Sequence, residues 1–234
     1  MWTPVIPRPA ARLDRRRPAA SQVFDALRAE IISLRLAPGT PLSRGALADR
    51  FGVSQTPIRD ALLRLEQQGL IEIYPQSSTV VSLIDLRQAR QSHFLRIAIE
   101  IEVARTIAGN PDGYDLSDSE AILEDMHAAW KATGDDAALR PPDQGFHAAL
   151  CDTVGHGELW DLIVARSGNV DRLRSINVYP GKVEKILKEH GQLLSALRRG
   201  DADAAESTIR LHLSDTLGAA DEIKSASPHY FSSH

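Results

Sequence analysis

Cysteine and long apolar runs are scarce in this chain of 234 residues, and each scarcity excludes a class of protein. Because Cys151 is the single cysteine, the chain cannot form an internal disulfide. The two alternatives for this residue are a small buried residue and a reactive thiol. No stretch approaches the ~18 apolar residues of a membrane-spanning helix. Residues 1–20 lack the apolar core of an export signal. We therefore expect a cytoplasmic protein with no membrane partner.

Lysine is absent from residues 1–84, yet this stretch is basic. It holds eleven arginines against seven acidic residues, a formal charge of +4, whereas the remaining 150 residues hold sixteen basic and twenty-four acidic residues, a charge of −8. Release of counterions from DNA favours binding only by the protein surface that contacts phosphate. The overall charge of −4 therefore does not exclude nucleic-acid binding by the N-terminal region.

A helix-turn-helix pattern precedes Gly69. Four apolar residues follow the i, i+3, i+4, i+7 spacing of a buried helical face: Ile58, Ala61, Leu62 and Leu65. Ser54 is a suitable N-cap, and Pro57 fits the first turn. A shorter amphipathic segment before it ends at Gly52-Val53, a connection tight enough to join two helices at a steep angle.

Two β-prone runs follow, at residues 70–74 and 79–83, separated by Pro75-Gln76-Ser77-Ser78. They predict a two-stranded hairpin, or wing. Upstream, Ser21 is predicted to cap another amphipathic helix. Residues 21–84 are thus predicted to form a winged helix-turn-helix domain of three helices and a β-hairpin.

These residues resemble the N-terminal domain of the GntR family of bacterial transcription regulators. The resemblance is carried by Pro38-Gly39, Leu42, Leu47-Ala48, Gly52-Val53-Ser54, Thr56-Pro57, Arg59, Ala61-Leu62, Leu65-Glu66 and Gly69-Leu70-Ile71. It implies that double-stranded DNA is bound through five residues: Arg44, Ser54, Gln55, Thr56 and Arg59.

In the interpretation that the resemblance implies, Arg59 meets a phosphate or a guanine edge, and Arg44 contacts a phosphate. The alternative for Arg59 is a solvated charge on a helix. Two departures from the family pattern leave the operator and the wing contact open. Gln55 stands where the family usually has arginine, and Gln76-Ser77-Ser78 stands where it has a Gly-x-Gly wing tip.

From Asp85 onward the apolar spacing stays helical. It predicts one long helix with an apolar stripe that includes Phe94, a fourth helix through residues 159–173, and a sixth through 205–223. The predicted fold is mostly α, with the winged domain followed by an all-α antiparallel bundle of six or seven helices at 85–224. Residues 1–20 are predicted to be a disordered basic arm, and residues 225–234 a flexible tail.

Polar residues lie inside the predicted apolar stripes of this bundle. His190 and His212 each occupy an inward position on a helix, and Asp143 and His147 share one helical face. One carboxylate and three imidazoles in an apolar shell suit a divalent ion such as Zn²⁺, Ni²⁺ or Mn²⁺. The alternative is a set of separate core histidines, each hydrogen-bonded to a neighbour.

This region resembles the ligand-binding domain of the FadR subfamily of the same family. The resemblance is carried by Arg96-x-x-Ile99-Glu100, Asp143-x-x-Phe146-His147-x-x-Leu150, Glu189-His190-x-x-Leu193-Leu194-x-Ala196, Gly200-Asp201-x-x-x-Ala205 and His212-Leu213. It implies that Asp143, His147, His190 and His212 bind the metal, and that a small organic acid, the effector, lies against it. Arg96 would then bind the effector's carboxylate, whereas its spacing also allows an ion pair with Glu100.

The resemblance implies a homodimeric, sequence-specific DNA-binding transcription regulator, a repressor, on a pseudo-palindromic operator. Its operator affinity would be modulated by the acid bound at the metal. An enzyme is not expected, because no further Glu or His at a defined spacing offers a general base. The alternatives are a hydrolase-like enzyme with a metal-bound water and a regulator whose metal is purely structural.

Overall fold

A computed structural model describes residues 13–74, 78–134 and 136–233, most of which are helical. The helices and strands are α1 (Ala19–Ile32), α2 (Arg44–Phe51), α3 (Gln55–Gln67), β1 (Ile71–Tyr74), β2 (Ser78–Val81), α4 (Leu86–Gly109), α5 (Ser117–Thr133), α6 (Asp136–Thr153), α7 (Gly157–Arg166), α8 (Gly168–Ile176), α9 (Lys182–Arg198), α10 (Ala202–Gly218) and α11 (Ala220–Ala226). Among these residues, no helix is both long enough and apolar enough to cross a membrane.

The chain divides into two compact units. The first comprises Met1–Ala89, Gly168–Ile176 and Ala220–His234, and the second comprises Arg90–Ser167 and Asn177–Ala219. The predicted all-helical second region is confirmed. Two of its short helices, α8 and α11, nevertheless belong to the first unit.

The winged helix-turn-helix of the first unit is confirmed. The four apolar residues predicted for the buried face of α3 are all buried against α1 and α2. Strands β1 and β2 pair antiparallel, with Ile71 opposite Val81. A bridge between Pro41 and Val80 extends the hairpin, an addition that the sequence pattern did not predict. Residues 75–77 of the predicted wing tip lie outside the described residues.

Helix α1 begins earlier than predicted. It starts at Ala19 after Pro18, so Ser21 lies inside the helix and does not cap it. Part of the predicted arm is also ordered, because the backbone N–H of Asp14 donates to Gln22 Oε1 at 2.8 Å. Residues 1–12 of that arm lie outside the described residues.

Two predicted helices are each broken in two. The fourth ends at Arg166, and α8 starts at Gly168; the sixth ends at Gly218, and α11 starts at Ala220. Helical spacing continues across both breaks, so the apolar pattern alone could not locate them. Phe94 also differs from its prediction, since 75% of it is exposed despite its place in the stripe.

Of the two alternatives for Cys151, a small buried residue or a reactive thiol, the structure shows the buried residue. It lies in the core of the second unit, and burial raises the pKa of its thiol to about 12. Residues after α11 are structured as well, in the segment predicted as a flexible tail. They form a 3-10 turn at Pro228–Tyr230, and Phe231 is buried and pairs with Ile84.

Leu34, just past α1, has a left-handed backbone with φ of +60°. This conformation costs a residue with a Cβ about 1–2 kcal/mol, and glycine avoids that cost. Leu34→Gly should therefore be more stable than Leu34→Ala by about 1 kcal/mol in urea unfolding. The matched pair at Leu63 in α3 should show the reverse order, because alanine exceeds glycine by about 1 kcal/mol inside a helix. Equal stabilities of the two Leu34 variants would contradict the prediction.

Candidate functional site

The five predicted DNA-binding residues lie at the N-terminal ends of α2 and α3 in the first unit. Arg44 is the first residue of α2, Ser54 is the N-cap position of α3, and Gln55, Thr56 and Arg59 follow on α3. All five side chains are exposed, whereas the opposite face of α3 is buried in the core. Helix N-terminal N–H groups and exposed arginine together suit a phosphate backbone.

Other arginines of this unit have structural contacts. Arg50 forms a buried ion pair with Glu30, and the guanidinium of Arg64 lies 4.0 Å from the centre of the Phe24 ring. Sequence alone did not separate these arginines from Arg59. The structure distinguishes Arg50 from Arg59, because Arg59 is exposed whereas the side chain of Arg50 is buried in its ion pair with Glu30.

The four predicted metal ligands converge in the second unit from three helices. Asp143 and His147 lie on α6, His190 on α9 and His212 on α10. One donor atom from each of the four lies within 4.8 Å of the others. The ring centres of His147 and His190 are 5.1 Å apart, and those of His190 and His212 are 4.7 Å apart. The spacing of these residues along their helices therefore predicted a real cluster.

Two buried carboxylates lie close to the same ring atom, Nδ1, of two of the imidazoles. Glu100 Oε2 lies 2.8 Å from Nδ1 of His147, and Glu189 Oε2 lies 2.9 Å from Nδ1 of His212. A carboxylate at Nδ1 orients the ring and leaves Nε2 as the donor for a metal ion. Asp143 Oδ1 lies 3.4 Å from Nε2 of His190.

Burial sets the charge of these groups. Burial lowers the pKa of His147, and it lowers the pKa of His190 further with the help of the neighbouring His212 and His147. Burial alone would raise the pKa of Glu100, but the charges of Arg96 and His147 outweigh it, so the pKa lies well below its usual value. The lowered pKa values favour the uncharged imidazoles of His147 and His190, which is the form that binds metal ions.

Aromatic rings line the cluster. Phe146 stacks on His190 with 4.1 Å between ring centres, and Trp160 stacks on His147 with 5.9 Å between ring centres. These rings fix the imidazole planes and keep the surroundings apolar. An apolar shell strengthens any charge interaction inside it.

The donor set fits a divalent ion. Both ring nitrogens of His190 are buried and have no hydrogen-bond partner in the described part of the chain. Buried polar atoms without partners are rare unless an ion or water satisfies them. Two donors on one Zn²⁺, each about 2.1 Å from it, lie at most ~4.2 Å apart. The observed spread of 4.8 Å is close to that limit.

Arg96 is buried and bonded to Glu100, four residues later on α4. Its guanidinium also lies 5.2 Å from the centre of the Trp160 ring. The pair with Glu100 was the alternative that the spacing allowed, although it is buried rather than exposed to solvent. Arg96 thus reaches the cluster through Glu100 and His147.

Sequence reasoning gave Glu100 only the alternative ion pair with Arg96, and it gave Glu189 no role. Glu189 is buried, and its Oε1 lies 4.0 Å from Nζ of Lys185, which in turn lies 2.6 Å from Oδ1 of Asp215. Both glutamates stood in the motifs that carry the resemblance, and each follows a cation by four residues on a helix. That spacing also describes ordinary surface pairs.

Comparison with known proteins agrees with both parts of the chain. The family model "Bacterial regulatory proteins, gntR family" matches residues 19–81, and the model "FCD domain" matches residues 91–215. The HTH-type transcriptional repressor RspR of Escherichia coli (strain K12) is 32% identical over 222 residues, covering 94% of this chain and 97% of that protein. A probable D-xylose utilization operon transcriptional repressor of Paenarthrobacter nicotinovorans is 25% identical over 207 residues, covering 87% and 89%.

Solved structures share the fold. E. coli McbR/YncC has a TM-score of 0.71 at 21% identity, covering 88% of this chain and 98% of that one. A transcriptional regulator GntR from Rhodococcus sp. RHA1 gives the same values. The extent of these matches leads to one assignment: the chain belongs to the GntR family of bacterial transcription regulators and joins that family's DNA-binding domain to an FCD domain.

Proposed function

We propose that this regulator is a homodimeric repressor whose operator affinity is modulated by a small organic acid bound at a divalent metal. The observation that carries the proposal is the buried cluster of Asp143, His147, His190 and His212 in the FCD region of a GntR-family chain. When bound, the ion would supply a Lewis-acid position that a carboxylate can ligate.

In the DNA-binding domain, α3 would lie in the major groove with Gln55, Thr56 and Arg59 toward the bases and phosphates. The exposure of these side chains at the helix N-terminus supports this assignment. Arg44 and Ser54 would contact the phosphate backbone beside it. A dimer of such heads would bind two half-sites, which is why a pseudo-palindromic operator is proposed.

The organic acid would lie against the metal within the second unit. Arg96 pairs with Glu100 through Nε and is buried, and it would bind the acid's carboxylate from this position. Coupling of only ~1–3 kcal/mol between effector and operator is enough for regulation.

A titration distinguishes this proposal from its alternatives. The protein first selects a duplex from a random pool. Its affinity for that duplex is then measured with and without Zn²⁺, in the presence of each of a panel of mono- and dicarboxylic acids. The proposal expects one class of acid to change DNA affinity by ~5–150-fold only in the metal-loaded protein. A metal requirement without any acid effect would indicate a structural metal, and turnover of the acid or of an ester would indicate an enzyme.

Arg59→Ala should weaken binding to that duplex by ~1–3 kcal/mol if Arg59 contacts a base. The matched control is Arg198→Ala, an exposed arginine of the second unit, which removes the same charge. Gel-shift titrations at one salt concentration measure both. An unchanged affinity of the Arg59 variant would remove this residue from the interface.

His190→Ala should abolish stoichiometric metal binding, because the buried ring offers its nitrogens to the cluster. Metal content of the purified protein, together with the Zn²⁺-dependent rise in melting temperature, measures the loss. His127→Ala is the matched control, since His127 is exposed on α5. Full metal occupancy in the His190 variant would contradict the site.

Glu189→Gln should weaken Zn²⁺ binding by ~10–100-fold, because the hydrogen-bonded carboxylate makes His212 a better ligand. Glutamine keeps the size of the side chain, so the melting temperature without metal should change little. Glu184→Gln, exposed on the same helix, should bind Zn²⁺ as the unmodified protein does. Calorimetric titration compares the three, and equal affinities would show that Glu189 does not support the metal.

A further inference from the structure

The connection between the wing and α4 is hydrogen-bonded along its whole length. We define the linker as residues 82–85. Its Ser82 N–H donates to Leu70 O at 3.0 Å, and its Ile84 N–H donates to Tyr230 O at 2.8 Å. Ile84 O accepts from the N–H of Ser232 at 3.0 Å. A connector that pivots freely would leave such groups to water, so this linker is held in one conformation.

Arg172 of α8 is the side chain that binds two carbonyls of the linker. Its Nη1 donates to Ser82 O at 2.5 Å, and its Nη2 donates to Leu83 O at 3.4 Å. Nη2 also donates to Asn169 Oδ1 at 2.7 Å, and the same oxygen accepts the N–H of Asp85 at 3.1 Å. One planar guanidinium and one amide thus hold three of the four linker residues.

The burial of Arg172 is complete, with 0% of the residue exposed. Burial lowers its pKa to about 10, so it still carries its charge at neutral pH. Burying a charge costs several kcal/mol and is weak evidence of stabilisation, whereas setting a unique register is its best-attested use. The burial of Arg172 therefore points to a role in positioning the linker rather than in stabilising the fold.

Helix α8 is itself fixed to the DNA-binding domain. Asp171 pairs with Arg28 of α1 at 3.4 Å, and Ser175 Oγ donates to Ile32 O at 2.5 Å. Gly168 lies so close to Leu70, the residue before β1, that a Cβ there would be 2.7 Å from Cδ2 of Leu70. Helix α8 is thereby part of the first unit, although it lies far along the chain from the DNA-binding domain. In sequence it stands directly between α7 and α9, and α9 carries His190.

We propose that Arg172 is a positioning residue for DNA binding. By its hydrogen bonds it makes the linker move together with α8. The position of the linker in turn sets the orientation of α3 for binding the second half-site. A displacement of α8 is carried to the linker through this guanidinium. This inference rests on the dimeric binding of two half-sites proposed above. It adds a residue that touches neither DNA nor the metal ligands.

Hydrogen–deuterium exchange tests the first step. Arg172→Met keeps the length of the side chain and removes its donors, so the linker amides should exchange at least ~10-fold faster, while amides of α3 stay as protected as before. The matched control is Arg166→Met, an exposed arginine on α7, which should leave the linker unchanged. Unchanged exchange of residues 82–85 in the Arg172 variant would overturn the proposal.

DNA binding tests the second step, with a duplex selected from a random pool by the unmodified protein and a shortened duplex holding one half-site. Arg172→Met should bind the single half-site within about twofold of the unmodified protein and the double site ~10-fold more weakly, since each tenfold is 1.4 kcal/mol. Arg172→Lys keeps the charge and can bind one carbonyl, so it should lie between the two.

The outcomes separate the two proposals. If the unmodified protein has no preference for the double site, the proposed dimeric function fails. If it prefers the double site and the Arg172 variants do so equally, only the positioning role fails. If Arg172→Met does not fold, Arg172→Lys and Asn169→Leu are tested by the same two measurements. Linker exchange rates and a ratio of double-site to single-site affinity that equal those of the unmodified protein in both variants would overturn the positioning role.

Discussion

A charge or polar group taken out of water must be paired, and this constraint organises both units of the protein. In the first unit the buried guanidinium of Arg172 is bonded to carbonyl and amide oxygens. In the second unit three buried imidazoles are surrounded by Glu100, Glu189 and Asp143. Each arrangement is expensive to desolvate. Each therefore marks a place where position, and not packing alone, is needed.

The two sites differ in how completely the protein satisfies them. Arg172 donates through both Nη atoms to the backbone of the linker and to Asn169, while its Nε has no hydrogen-bond partner among the described residues. In the histidine cluster, a carboxylate oxygen lies close to Nδ1 of His147 and of His212, but the ring nitrogens of His147 and His190 have no hydrogen-bond partner among the described residues. A satisfied group fixes structure, and an unsatisfied donor set calls for a ligand. This contrast supports the positioning role proposed for Arg172 and the binding role proposed for the histidine cluster.

The local pattern was sufficient where one helix decides the outcome. The apolar face of α3, the inward position of His190, and the shared face of Asp143 and His147 follow from 3.6 residues per turn. The same rule failed at Phe94, because periodicity places a residue on a face without saying what covers that face. It also failed at the breaks after Arg166 and Gly218, where the apolar spacing continues although the helix ends.

The sequence by itself determined the two-part architecture, the DNA-binding helix and the identity of the four candidate ligands, since short-range spacing and motif order encode them. Tertiary structure alone decided that Glu100 and Glu189 hold two of those ligands, that Arg96 is paired, and that α8 joins the first unit. Arg172 lies about ninety residues from the carbonyls it binds. Contacts at that separation depend on how distant elements pack, which no local pattern records.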